Sequence, residues 1–183
     1  MGTPERPTLA KLFVGLIVNP QLDMERIERE LEKKFGQIDT TSSVFQFDFT
    51  DYYTEEMGEK LRRKFVSFEN LLDPESIVDA KLKTNQLEKD IADQCKNIQV
   101  ARPVNIDPGY LGLSKLVLVT TKNYSHRIYL GSGIYGEVTL RYKDRGFKPL
   151  PWTYPDYQTQ NYLSYFNSLR EEYTKQLDAL RDS

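Results

Sequence analysis

The run Leu12-Phe13-Val14-Gly15-Leu16-Ile17-Val18 is apolar at both its odd and its even positions. Successive strand side chains point to opposite faces of a sheet, so a strand built from this run must be covered on both sides. That requirement excludes a one-sided sheet and calls for a layered domain. Helices to supply the layers lie close by. Met24, Ile27, Leu31 and Phe35 recur at helical spacing, and Gly36 follows as a C-terminal stop. A second helix opens at Asp73-Pro74-Glu75, a capping residue followed by proline at the first helical position. Its stripe is Ile77, Ala80, Leu87 and Ile91, interrupted by Thr84.

Between the helices, Val44 to Thr50 alternates, with Phe45, Phe47 and Phe49 on one side and Gln46, Asp48 and Thr50 on the other. Lys64 to Glu69 reads as its partner strand. Val104 and Ile106 form a short strand that the turn residues Asp107-Pro108-Gly109 are expected to end. The resulting class is α+β, a mainly antiparallel sheet in the ferredoxin-like order β-α-β-β-α-β. Lys115–Thr121, His126–Gly131 and Ile134–Tyr142 extend it, the last two as a C-terminal β-hairpin. A three-residue loop, Gly131-Ser132-Gly133, pairs Leu130 with Ile134 and Ile128 with Gly136. One face then holds Ile128, Leu130, Ile134, Val138 and Leu140, and the other Arg127, Tyr129, Tyr135, Glu137, Thr139 and Arg141. A slip of one residue would mix the two sets.

Residues 146–157 contain Pro149, Pro151 and Pro155 around Trp152 and Tyr154, which predicts an extended strap rather than a strand. A terminal helix over residues 158–181 carries Tyr162, Tyr165, Phe166, Leu169, Tyr173, Leu177 and Leu180 at helical spacing. With 183 residues the chain is expected to be a single domain, residues 1–10 forming a flexible lead.

Charge and composition exclude several function classes. The 25 Lys and Arg against 27 Asp and Glu leave a net charge of −2, which argues against broad nucleic-acid binding. The one cysteine, Cys95, makes neither an internal disulfide nor a cysteine-based zinc site. The first residues lack the basic-then-apolar pattern of a secretory signal, and Arg6 breaks the myristoylation pattern. Leu12–Val18 is too short to span a bilayer. A cytoplasmic location without a membrane partner is expected.

Several stretches together are distinctive: Phe47-Asp48-Phe49-Thr50-Asp51-Tyr52-Tyr53, Lys83-Thr84-Asn85 with Glu88, Asn105-Ile106-Asp107-Pro108-Gly109-Tyr110, His126-Arg127-Ile128-Tyr129-Leu130-Gly131, and Leu150-Pro151-Trp152-Thr153-Tyr154-Pro155-Asp156-Tyr157. In these the chain, from about Lys11 to Leu177, resembles a bacterial family known only as a domain of unknown function. Some members of that family carry an automatic label of GTP-binding protein. The resemblance implies a bacterial-type cytoplasmic protein and no established chemistry. The residues themselves speak against P-loop chemistry. No glycine-rich loop ends in Gly-Lys-Ser or Gly-Lys-Thr, and Thr121-Lys122 is followed by Tyr124 where a guanine-reading motif wants Asp.

Two sets of polar residues are candidates for chemistry. Asp48, Asp51 and Asp107, with Glu55, Glu56 or Glu137 nearby, are the kind of oxygen donors that hold Mg²⁺ in a metal-dependent hydrolase or phosphotransferase. The bland alternative is an acidic loop in which Asp51 caps a turn. Arg127, Tyr129, Tyr135 and Glu137 share the polar hairpin face, where Arg127 can offer a fork to the carboxylate or phosphate of a small anionic ligand, a nucleotide being one candidate. An Arg127–Glu137 cross-strand ion pair is the bland reading there. His126, the only histidine, is expected on the apolar side at the strand's mouth, as a hydrogen-bonded edge residue or a proton-transfer group. Thr84 and Glu88, with Lys81, make either a structural hydrogen bond along the second helix or the polar wall of a pocket. A third reading, a non-catalytic interaction module, would use the tyrosines and the terminal helix.

Overall fold

The computed structural model describes residues 2–182. Strand β1 (Ala10–Val18) is buried at every position and lies between β4 (Arg62–Leu72) and β5 (Val104–Leu111), as its two apolar faces require. The nine strands form one antiparallel sheet. Adding β2 (Ile38–Thr41), β6 (Lys115–Thr120), β7 (Ile128–Gly131) and β8 (Ile134–Lys143), its order is β2-β4-β1-β5-β6-β8-β7. The short β3 (Phe45–Gln46) runs beside β4, and β9 (Gly146–Pro149) runs beside β8.

One face packs on helices α1 (Met24–Phe35) and α3 (Ile77–Gln94), the latter entered through a 3-10 turn at Pro74–Ser76. There Leu12, Val14, Leu16 and Val18 meet Ile27, Leu31, Ala80, Leu87 and Ile91. The other face packs on the terminal helix α4 (Gln160–Arg181), where Phe13, Phe65 and Leu140 meet Tyr162, Phe166, Leu169 and Tyr173. Each such fully buried side chain contributes about 1.5–3 kcal/mol. The molecule is therefore three layers deep. No helix among the described residues is long and apolar enough to cross a membrane.

Five expectations change in the structure. The strand expected over Val44–Thr50 ends at Gln46. Beyond it Phe47 is buried but Phe49 is 41% exposed, because the chain turns at Thr50, whose Oγ1 accepts from Tyr52 N. It then enters the short helix α2 (Thr54–Met57). Asp107-Pro108-Gly109 is no turn; β5 runs through it and pairs with β1 to Leu111. β6 joins β5 only from Gly109 onward, so the missing N–H of Pro108 interrupts no ladder on that side. Gly109 is required there, since a Cβ would stand 2.5 Å from both the Phe13 ring and the Val117 carbonyl oxygen.

The hairpin keeps the expected pairing of Ile128 with Gly136, but its loop is the two-residue turn Ser132-Gly133, with Gly131 opposite Ile134. Ser132 (φ 50°) and Gly133 (φ 75°) are both left-handed, the turn type whose twist matches that of the strands. Leu130 absorbs the extra residue as a bulge. A second bulge, at Thr139, lies between the Val117–Val138 and Leu116–Leu140 pairs. It moves Leu140 to the α4 face while Ile134 stays on the α3 face, so the expected single apolar face is divided. Ile128 is 73% exposed and Leu130 is also exposed. The stretch expected to be wholly a strap begins with β9, and the strap proper is residues 150–157. It is tied to the bulge: Trp152 Nε1 donates to Val138 O at 2.9 Å and Thr153 Oγ1 to Thr139 O.

Candidate functional site

Helix α4 covers only part of its sheet face. At the uncovered end, cross-strand pairing aligns Arg63, Ile17 and Asn105 in one row and Phe65, Gly15 and Asp107 in the next. With Leu118 and Glu137, which pair on β6 and β8, most of these residues floor a cavity of about 600 Å³. One wall is the loop through Phe47 and Tyr53, anchored where Phe47 and Met57 pack on Ile17. The other walls are the loop Thr121–Arg127 and the strap Trp152–Tyr157. β5 and β6 pair only over Gly109–Leu111 and Leu116–Leu118, so the sheet is open below Gly109. Through that opening Lys81, Asn85 and Glu88 of α3 reach the cavity from the opposite layer. The distinctive stretches of the sequence are far apart in the chain, and every one of them supplies lining residues here.

Glu137 is the hub of the outer half. Its side chain is 1% exposed, and its Oε2 accepts from Arg127 Nε at 2.7 Å and lies 3.0 Å from His126 Nε2. Arg127 also donates from Nη1 to Lys122 O (2.9 Å) and from Nη2 to Tyr154 Oη (2.5 Å), joining loop, strand and strap. His126 stacks between Trp152 (5.4 Å between centroids, 13°) and Tyr124 (6.1 Å, 27°), giving the rim a flat aromatic edge. Lys122 contacts the Tyr52 hydroxyl from the opposite loop.

The inner half centres on Asp107. Lys81 Nζ donates to its Oδ1 at 3.0 Å and to Ile106 O at 3.2 Å, and Asn105 holds its Oδ2. Burial pushes Asp107 up, but Lys81 and Arg63 together outweigh it and hold the carboxyl below its ordinary range. Glu88 Oε1 accepts from Ile106 N at 2.6 Å, and Arg102 stands 3.7 Å from its Oε2. Burial raises this carboxyl from 4.5 to about 7, against the pull of Lys81 and with a further push from Asp107. The environments of the two carboxyls thus drive their proton affinities apart. Arg63, 2% exposed, lies beneath, its Cζ 4.7 Å from the Phe65 ring centroid and 5.3 Å from that of Tyr157.

Of the ligand residues expected from sequence, Arg127, Glu137, Glu88 and His126 line this cavity; Tyr129, Tyr135 and Thr84 do not. Tyr129 and Tyr135 lie nearer the hairpin tip and pack on each other, centroids 5.3 Å apart. Thr84 is fully buried and donates to Lys81 O, a bond within its own helix, so it makes no pair with Glu88. His126 belongs to the polar cavity rather than to an apolar edge. Asp107 lines the cavity, whereas Asp48 and Asp51 are exposed and outside its lining, so the expected acidic set is not assembled. Among the described residues no group of three or more His, Cys, Asp or Glu is placed to hold a metal ion. Sequence reasoning missed Arg63, Arg102, Asn105, Tyr53 and Asp156. For Arg63 a signal existed: it sits two residues from Phe65, at a strand position that faces the core.

Residues 8–173 match the family model of a domain of unknown function, DUF4416, and the chain belongs to that family. No curated protein and no solved structure matches it.

Proposed function

We propose, for a chain whose family carries no assigned chemistry, that this is a binding domain for a small anionic organic ligand held in the cavity. The carrying observation is the lining. Arg63, Lys81, Arg102, Lys122 and Arg127 stand against Glu88, Asp107, Glu137 and Asp156, five cations to four carboxylates, and one of those carboxylates is half-protonated near neutrality. Aromatic side chains frame the mouth, which suits a ligand with a flat ring, a nucleotide being one such molecule. A nucleotide here would bind without a P-loop. Arg127 serves this reading as an anchor, since Glu137, Lys122 and Tyr154 occupy its donors.

A second reading, acid–base chemistry on the bound molecule, draws on Glu88, a carboxyl of near-neutral proton affinity facing the cavity. We also read the first half as a ferredoxin-like unit; the strand order β2-β4-β1-β5 and its antiparallel pairing support this. The buried free thiol of Cys95 supports a cytoplasmic location.

Trp152, the only tryptophan, reports on the site because it stacks on His126 at the rim. A screen of anionic metabolites and nucleotides should find a ligand that changes Trp152 fluorescence and raises the melting temperature. At a hundredfold excess over Kd the stabilisation is about 2.7 kcal/mol. A broad screen in which no anion moves either signal would refute the proposal.

A further inference from the structure

We propose that Arg63 and Tyr157 form the subsite that takes the oxyanion of the bound ligand, a carboxylate or a phosphate group; this rests on the cavity reading above. A buried guanidinium is costly unless its donors are used, and charges inside proteins are almost always hydrogen-bonded. Arg63 departs from that rule. Its Nε and Nη1 are buried with no hydrogen-bond partner, and so is the hydroxyl of Tyr157. Its ion contact is with Asp156 Oδ2, at 3.4 Å, longer than a charged hydrogen bond normally runs.

These unused donors converge. A Cβ built on Gly15 would stand 3.3 Å from Tyr157 Oη and 3.4 Å from Arg63 Cζ, so both groups close over the same point of the sheet floor. Both residues line the cavity, as does Asp156. The proposed oxyanion enters by displacing the long Asp156 contact on Arg63. Burial raises the Asp156 carboxyl against the pull of Arg63. Of the other cations of the lining, Lys81 is paired with Asp107, Arg127 with Glu137, and Arg102 with Glu56 and Glu88, while Lys122 is exposed and contacts the Tyr52 hydroxyl. Among the cations of the lining, Arg63 keeps two buried nitrogens without a partner, Nε and Nη1, whereas Arg102 keeps one, its Nε.

Phenyl phosphate and benzoate present the two oxyanions on the same ring and serve as probes. Each is titrated into ¹⁵N-labelled protein. The Trp152 Nε1–H signal reads entry to the cavity, and the Arg63 Nε–H signal reads the subsite. Both signals should move with one Kd, and the tighter probe identifies the preferred oxyanion. Tyr157→Phe should weaken that Kd about tenfold while leaving the free protein at least as stable, because the lost hydroxyl has no partner. Asp156→Asn should tighten it, since the internal competitor is gone. If the Trp152 signal moves while Arg63 stays still and Tyr157→Phe binds like wild type, the subsite is wrong and the cavity reading survives. If neither probe moves either signal, the subsite falls, and the broad screen decides the cavity reading.

Discussion

Glu88 should make the stability of this protein fall as pH rises from 5 to 8. In the unfolded chain its carboxyl titrates near 4.5, and in the folded protein burial raises it to about 7. A carboxyl that holds its proton more tightly when folded favours folding wherever the proton is present. The contribution is complete below 4.5 and is lost as pH climbs through 7. At about 1.4 kcal/mol per pH unit, the interval corresponds to about 3 kcal/mol. Glu88 is 9% exposed, so solvent does little to screen it. The assay is urea unfolding from pH 5 to 8 on the wild type and on Glu88→Gln, which keeps an oxygen to accept from Ile106 N. The wild type should lose about 3 kcal/mol more than the variant across that range. Other titrating groups, Asp156 among them, cancel in the difference. A flat difference would show that the unfolded and folded chains bind this proton alike, and would remove the basis for assigning Glu88 any acid–base role.

Arg127→Met should cost about 3 kcal/mol in urea unfolding, because it leaves Glu137 buried with only His126 and a long contact from the Thr139 hydroxyl and frees the Lys122 and Tyr154 contacts; a loss under about 1 kcal/mol would make the pair a surface-type ion pair. Gly109→Ala pushes a methyl to within 2.5 Å of the Phe13 ring and the Val117 carbonyl, and should lower the melting temperature by about 6–12 °C, equivalent to about 3 kcal/mol. A change of less than about 2 °C would mean that β5 and β6 are farther apart at this point.

What the sequence disclosed about the fold depended on periodicity. β1, α1, α3 and α4 are long and one- or two-faced, so spacing alone identifies them, and Tyr162, Phe166, Leu169 and Tyr173 are indeed the buried face of α4. Failures occur where a single residue overrides a pattern. Thr139 bulges and exchanges the faces of β8, so the apolar alternation from Ile134 to Leu140 is real in sequence yet split between two layers. Pro108 resembles a turn residue locally and becomes a strand residue because its β6 side is open, a fact set by a strand not reached until Lys115. β2 has only four residues, Ile38-Asp39-Thr40-Thr41, too few for alternation to stand out.

The site was less visible than the fold, for a reason the cavity itself displays. Its outer half is local: the register argument sets Arg127 opposite Glu137, whereas His126, expected on the apolar side, joins them from the loop just before β7. Its inner half is assembled through the gap between β5 and β6, where a helix on one layer reaches side chains on the other. No periodicity predicts a gap in a sheet. The one trace in the sequence is a conflict, an arginine where the Phe65 face demands an apolar residue. Such conflicts between pattern and residue type concentrate where function overrides stability. Arg63 meets that description twice, as a charge at a core position and as a charge with donors left over. Arg127 meets it only once, because each of its three nitrogens has a partner. Among the arginines of this cavity Arg63 has two buried nitrogens without a partner, Arg102 one and Arg127 none, and that ranking, rather than exposure or sequence motif, is what singles out Arg63 as the proposed binding group.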